Sequence, residues 1–120
     1  MTQNMVVESV RSRLINMRVT RVIFTPKTRP KHVSLFIDGR KYFYDIHRQE
    51  VREGVGEWRK KNIYVEPGFT TIQEKAIIVH EAVESFLMRL KGVKYEQAHK
   101  LATKEEYKWL LKHRARSKNV

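Results

Sequence analysis

The stretch VHEAVESFLMRLKGVKYEQAH (residues 79–99) decides the fold that this chain is expected to adopt. Its apolar residues continue a series that recurs at three- and four-residue steps from Ile72 to Leu90, which is typical of a helix packed along one face. Gly92 is placed to end that helix in a left-handed conformation. A second helix is predicted to begin near Tyr95 and to fold back against the first.

The polar residues of this stretch have the spacing of metal ligands. His80 and Glu84 are four residues apart, so on a helix their side chains project from the same face, one turn apart. His99 is the best candidate for a third ligand, because the break at Gly92 lets the second helix fold back. Glu81 lies about 100° around the helix from His80, where a carboxylate can act as general base on metal-activated water. Since the chain has no cysteine, any metal must be held by His, Asp or Glu.

Two further residues have alternative roles at this site. Glu106 lies seven residues after His99, nearly in phase with it on a helix, so we expect it either to orient His99 through a hydrogen bond or to be a further metal ligand. Tyr95 is expected either to donate a hydrogen bond to a transition-state oxyanion or to pack at the start of the second helix. The simplest alternative for the whole group is two helices with solvated polar faces, since glutamate is a good helix former that usually faces water.

Upstream of this stretch, the sequence predicts one helix and a small antiparallel sheet. Helical spacing of valine, leucine and methionine predicts a helix over residues 1–17, and β-branched and aromatic runs predict strands within residues 18–68. Asp38-Gly39 lies between two such runs and suits the positive φ angles of a tight hairpin turn. Residues 51–60 contain two glycines and are interpreted as a loop or a distorted turn.

Within the helical part, the sequence also predicts a cap and a buried face. Thr71 and Glu74 fit a capping box at the start of the first helix. Trp58 and Trp109 are interpreted as core or rim packing, because no regular aromatic pattern surrounds them. The buried face of the second helix is expected to consist of Tyr95, Ala98, Ala102, Tyr107, Leu110 and Leu111.

Composition narrows the class of protein further. The 120 residues argue for one domain with one hydrophobic core. No apolar run reaches the roughly 18 residues of a membrane span, and the N-terminus lacks the order of a signal peptide. We therefore expect no membrane partner and a cytoplasmic location, in the host cytoplasm if a virus encodes the chain.

The charge of the chain suggests a second kind of partner. With 25 Lys+Arg against 13 Asp+Glu, the net charge is +12. A basic balance of this size attracts phosphate backbones by counterion release, so nucleic acid is one expected partner. The charge is dense only in KTRPK (27–31) and KHRARSK (112–118), and no nucleic-acid-binding motif is recognisable. The alternative is a solvated surface with a frayed basic tail.

The chain resembles a group of small zincin-like proteins of phages, proviruses and archaeal mobile elements over about residues 63–106. Their shared pattern is H-E-x-x-E, a helix end with glycine, Y-x-x-A-H-x-x-A and a later glutamate, which this chain carries as His80, Glu81, Glu84, Gly92, Tyr95, Ala98, His99, Ala102 and Glu106. The resemblance implies a metallopeptidase-like fold with His80, Glu84 and His99 as ligands and Glu81 as base. By analogy with zincins, the strand in NIYVEPG (62–68) is expected to form a cleft rim that pairs with extended peptide.

The sequence thus predicts a single α+β domain with a minimal zincin-like fold: a small antiparallel sheet packed on an active-site helix, plus a second C-terminal helix. The helical pair is expected over residues 70–111 and a basic tail over residues 112–120. The expected function is a metal-dependent hydrolase, with zinc as cofactor and a peptide or protein as substrate. Alternatives are a basic nucleic-acid-binding module, or a non-catalytic structural or interaction protein of a virus or mobile element. In so small a chain, a partner or an oligomer is expected to help form any specificity pocket.

Overall fold

The computed structural model describes residues 17–118, with side chains described through residue 113. The strands are β1 (Val19–Thr25), β2 (His32–Ile37), β3 (Arg40–Arg48), β4 (Gly56–Arg59) and β5 (Asn62–Val65), and the helices are α1 (Thr71–Leu90) and α2 (Tyr95–Lys118). The strands form one sheet in the order β1-β2-β3-β5-β4. The predicted α+β class is confirmed. The helix predicted over residues 1–17 lies, except for Met17, outside the described residues.

The first three strands form an antiparallel meander that contains the predicted hairpin. Asp38 and Gly39 join β2 to β3 with φ angles of 50° and 82°, the pair of positive angles that a two-residue hairpin turn requires. Alternate residues of β2, namely Val33, Leu35 and Ile37, are completely or almost completely buried. The hairpin is therefore confirmed, and its register sends one face of the sheet into the core.

The sheet is mixed, which corrects the prediction of an antiparallel sheet. Residues 56–59, interpreted from sequence as part of a loop, form β4 and pair antiparallel with β5. β5 pairs parallel with β3, with Asp45 opposite Asn62. β5 is thus an interior strand and β4 an edge strand. The four residues of β4 begin with a glycine, so they are too short to display a readable strand alternation.

α1 is buried along most of its length, and its cap lies one residue earlier than predicted. The Thr70 hydroxyl accepts a hydrogen bond from the backbone N–H of Gln73, and the Gln73 side chain accepts one from the backbone N–H of Thr70. The predicted box of Thr71 and Glu74 is therefore wrong. Glu74 instead forms an ion pair with Arg48 of β3, which compensates for the burial of both charges.

α2 packs through a narrower face than the sequence suggested. Ala98, Ala102 and Trp109 are buried, and the Trp109 ring meets Phe24 of β1 edge-to-face with centroids 5.9 Å apart. At about 100° per residue, Trp109 lies within roughly 20° of Ala98 around the helix. The prediction of a buried face is wrong for Tyr95, Tyr107 and Leu111, which are largely exposed. The core packing of Trp109 is confirmed.

The helix ends are partly as predicted. Gly92 has a φ of 64° directly after α1, as expected for a left-handed helix end. α2 begins at Tyr95 and continues to Lys118, so the segment predicted as a basic tail is helical as far as residue 118. Within residues 17–118, neither helix combines the length and apolar character that crossing a membrane would require.

Both helices lie on the same face of the sheet. Phe86 of α1 contacts Tyr42 of β3 with ring centroids 4.7 Å apart, and Trp109 of α2 contacts β1. Phe43, the next residue in β3, points to the opposite face and is 45% exposed. Within residues 17–118, the sheet therefore has a helical side, where the core and the polar residues of α1 lie, and an opposite side that no described helix covers.

Candidate metal centre

α1 carries three ionisable side chains into the interior. His80, Glu81 and Glu84 are only 8%, 9% and 6% exposed, although they belong to a helix that forms part of the core. Burying such groups is costly unless they are paired. Among the described residues, every buried side-chain nitrogen or oxygen has a hydrogen-bond partner. The partners of His80 and Glu84 come from each other, from α2 and from β4, whereas Glu81 lies 4.0 Å from His80.

The three predicted ligands come together in a triangle. Nε2 of His80 lies 3.2 Å from Oε2 of Glu84 and 3.2 Å from Nδ1 of His99. Nδ1 of His99 lies 3.1 Å from the same Glu84 oxygen. His80 and Glu84 meet because they are one turn apart on α1, and His99 reaches them from the first turns of α2. This group could hold a metal ion, and we call it the ligand triangle.

The size of the ligand triangle fits one divalent ion. Ligand atoms at about 2.0–2.1 Å from a tetrahedral zinc ion are roughly 3.3 Å apart. The observed sides of 3.1–3.2 Å are close to that separation. Two imidazole nitrogens and one carboxylate oxygen are donors that zinc and other first-row divalent ions accept. Three protein ligands also leave a coordination position for water or substrate.

Glu106 supports the ligand triangle from behind His80. Its Oε1 lies 2.9 Å from Nδ1 of His80, on the other side of the ring from the ligand nitrogen. A carboxylate there holds the proton on Nδ1 and leaves the lone pair of Nε2 directed at the triangle. Glu106 therefore contacts His80 and not His99, which corrects the orienting role predicted from its phase on α2. The way in which the two helices cross decides which histidine Glu106 contacts, and this crossing cannot be read from the sequence.

Trp58 supports the second ligand from β4. Its indole Nε1 donates a hydrogen bond of 3.2 Å to Oε1 of Glu84, which leaves Oε2 of that carboxylate for the triangle. Sequence reasoning missed this role, because Trp58 lies in a segment interpreted as a loop and was assigned to packing. No spacing rule connects an edge strand to a helix residue, so only the tertiary structure reveals this contact.

Glu81 lies beside the triangle without belonging to it. Its Oε2 is 4.0 Å from Nε2 of His80. Burial raises the pKa of Glu81 to about 7; His80 opposes this rise, and the nearby carboxylates of Glu84 and Glu106 add to it. Gly56 of β4 packs closely here, since a Cβ at that position would lie 3.0 Å from Cγ of Glu81. The carboxylate thus occupies a confined place between α1 and the edge strand.

The site concentrates negative charge. Burial opposes charge on His80, yet the hydrogen bond to Glu84 and the carboxylates of Glu81 and Glu106 raise its pKa above the usual value. Burial likewise opposes charge on Glu84, but hydrogen bonds from both histidines and the indole lower its pKa. The cluster therefore favours a bound cation, whether a proton or a metal ion.

Tyr95 and His99 form the exposed side of the site. Their rings stack with centroids 5.4 Å apart and an angle of 28° between planes. The side chain of His99 is 49% exposed, and Tyr95 is 54% exposed. Tyr95 therefore packs on His99 at the mouth of the site and contributes little to the core.

The ligand triangle opens into a cleft of about 830 Å³. Its rim comes from β4 and the residues before it, not from β5 as predicted, because β5 is an interior strand. Among the residues that the structure describes, Arg52 is the only Lys or Arg that lines the cleft. Five of the chain's 13 acidic residues also line the cleft, namely Glu53, Glu57, Glu81, Glu84 and Glu106. The cleft is thus acidic in a chain of net charge +12.

Comparisons of this chain with protein families, with curated proteins and with solved structures gave no match. The assignment of function therefore depends on the geometry of the site.

Proposed function

We propose that the protein is a metal-dependent hydrolase of the metallopeptidase type, with zinc held by His80, Glu84 and His99. The observation that carries this proposal is the ligand triangle, whose three atoms lie 3.1–3.2 Å apart beside a buried glutamate at the base of a cleft. The resemblance to small zincin-like proteins supports it, because the same residues carry their shared pattern. A bound zinc ion would supply Lewis-acid activation of a water molecule.

Protein side chains have the other roles in the proposed reaction. Glu81 accepts the proton of the attacking water, since it is a carboxylate close to the triangle that is not one of its three members. Tyr95, stacked on His99 at the mouth, donates a hydrogen bond to the oxyanion that forms from the carbonyl. Glu106 and Trp58 fix the orientations of two ligands.

The shape of the cleft favours an extended peptide as substrate. β4 forms the cleft rim and is an edge strand of the described sheet, so its outer side can pair with an added strand. Glu53 lies along this rim, and its charge favours a basic side chain on such a peptide. Because the chain is small, we propose that a partner or a second copy completes the substrate pocket.

The first test is the metal content of untagged protein purified without chelators, measured by elemental mass spectrometry. We expect about one zinc ion per chain, lost in the His80→Ala/His99→Ala double variant. The matched control is His32→Ala/His47→Ala, because both of these histidines lie in the sheet, away from the triangle. Equal zinc in the wild type and the His80→Ala/His99→Ala variant would refute the metal site.

The second test separates a hydrolase from a protein with a purely structural metal. We expect Glu81→Gln to keep its zinc and to lose peptide hydrolysis by about 10²- to 10⁴-fold, the usual contribution of a general base. Hydrolysis is measured on a library of fluorogenic peptides, including basic sequences. A zinc-loaded wild type that is no more active than Glu81→Gln would contradict the hydrolase and leave a structural or interaction role.

A further inference from the structure

The sheet face that points away from the helices is both aromatic and basic. The strand register puts Phe36 of β2 between Arg21 of β1 and Lys41 of β3. Phe43 lies further along β3 on the same face, since alternate residues share a face. Three rings and three cations therefore define what we call the open sheet face: Phe36, Phe43, Tyr64, Arg21, Lys41 and Arg59.

The rings of the open sheet face already contact cations and planar groups. The Arg59 guanidinium lies 4.8 Å from the centroid of the Tyr64 ring, and the Arg21 guanidinium lies 5.9 Å from that of Phe36. His47 stacks on Tyr64 with centroids 5.0 Å apart. Phe43 is 45% exposed. The face thus presents the exposed Phe43 ring and the half-buried Phe36 and Tyr64 rings beside positive charges.

The distribution of charge favours the binding of a polyanion at the open sheet face over its binding in the cleft. Among the described residues, the cleft is lined by acidic side chains and one arginine, a balance that disfavours a phosphate backbone there. In the part of the chain that the structure describes, the open sheet face carries two acidic groups, and both lie near basic groups: Asp45 is 3.0 Å from His32, and Glu57 is 3.8 Å from Arg59. The exposed turn Lys60–Lys61 adds two cations at the edge of the same face. The complementary ligand is therefore anionic and carries flat rings.

We propose that the open sheet face binds single-stranded nucleic acid, as a second function separate from the metal centre. Bases stack on Phe43 and on the rings near Arg21 and Arg59, while the cations contact the phosphates between them. Stacking of this kind accepts any base, since every base has a π face. The surface is therefore sequence-tolerant and its affinity falls steeply with salt.

A single strand fits this face better than a duplex or a second copy. Duplex bases are stacked on one another, so their π faces are hidden from a flat sheet, whereas unpaired bases can lie on exposed rings. A second copy would bring together two faces that both carry an excess of positive charge, which opposes association. The alternation of rings with cations is thus suited to alternating bases and phosphates.

The test is fluorescence anisotropy with a labelled oligothymidylate and a labelled oligouridylate of roughly 12 nucleotides, titrated with full-length protein across a salt series. We expect Phe43→Ala and Tyr64→Ala each to weaken binding by about 5- to 100-fold, the range for one lost base stack. Tyr107→Ala is the matched control, because Tyr107 is an exposed aromatic residue on α2, and it should bind as the wild type. Arg59→Gln should reduce the salt slope by about 0.7, the value for one phosphate contact.

Three results would overturn this proposal. The first is no binding at low salt, the second is equal weakening by Phe43→Ala and Tyr107→Ala, and the third is tighter binding of a duplex of the same length. Self-association that Phe43→Ala abolishes, without oligonucleotide binding, would assign the face to a dimer instead. Zinc content measured on the same variants should be unchanged, so failure here is distinguishable from failure of the metal centre.

Discussion

The contact between Glu106 and His80 makes a sharp prediction about metal affinity. The carboxylate oxygen lies 2.9 Å from Nδ1 of His80, and the side chains are 31% and 10% exposed. A hydrogen bond to a charged group contributes about 1.5–3 kcal/mol. Because Glu106 is nearly one-third exposed, solvent screening favours the lower end of that range.

We therefore expect Glu106→Ala to weaken zinc binding by about 10-fold, which corresponds to about 1.4 kcal/mol. Glu106→Gln should weaken it less, because its amide oxygen still accepts the Nδ1 proton and preserves the tautomer of His80. The assay is competition against a chromophoric zinc chelator at fixed pH and ionic strength. The control is Glu105→Ala, which removes the same charge from the neighbouring residue, whose partner is Lys108.

The relative effects of these variants separate an orienting role from ligation. If Glu106 were a metal ligand, Glu106→Gln would lose affinity nearly as fully as Glu106→Ala, because a neutral amide is a poor zinc ligand. A loss in Glu105→Ala equal to that in Glu106→Ala would attribute the effect to overall charge. Either result would refute the reasoning from the Glu106–His80 contact.

Three further outcomes follow from other contacts. Trp58→Phe removes the N–H that Glu84 accepts and should weaken zinc binding by about 10-fold or more in the same assay. Gly56→Ala brings a Cβ to 2.6 Å from the Ile77 side chain, so urea unfolding should report a loss of about 1–3 kcal/mol. Burial raises the pKa of the Tyr44 phenol to about 12. As the unfolded state ionises first, stability should fall by about 2 kcal/mol more in wild type than in Tyr44→Phe between pH 10 and 12, measured by unfolding across that range.

Much of the helical half could be predicted from the sequence, because its signals are local. The periodic apolar residues before Gly92 define α1, and a positive φ at that glycine ends it. The four-residue spacing of His80 and Glu84 puts both on one face of a helix, and the short connection lets His99 join them. The hairpin at Asp38-Gly39 is equally local, since two positive φ angles specify the turn.

The incorrect predictions have a different cause, because they concern contacts between residues that are distant in sequence. The phase of α2 was misjudged because Tyr107 and Leu111 are apolar enough to be buried, while the contact of Trp109 with Phe24 selects another face. The interior position of β5 was missed because β4 is too short to be recognised as a strand. In each case the sequence allows several packings, and the burial of the largest apolar surface selects one.

The sequence by itself determined the two helices of the site and that His80 and Glu84 share a face of α1, because helical periodicity fixes which side chains lie together. Only the tertiary structure decided that Glu106 contacts His80, that Trp58 holds Glu84, and that β4 forms the rim of the cleft. These contacts depend on the crossing of α1 with α2 and on the edge position of β4. Such arrangements follow from packing between whole elements, and no spacing along the chain encodes them.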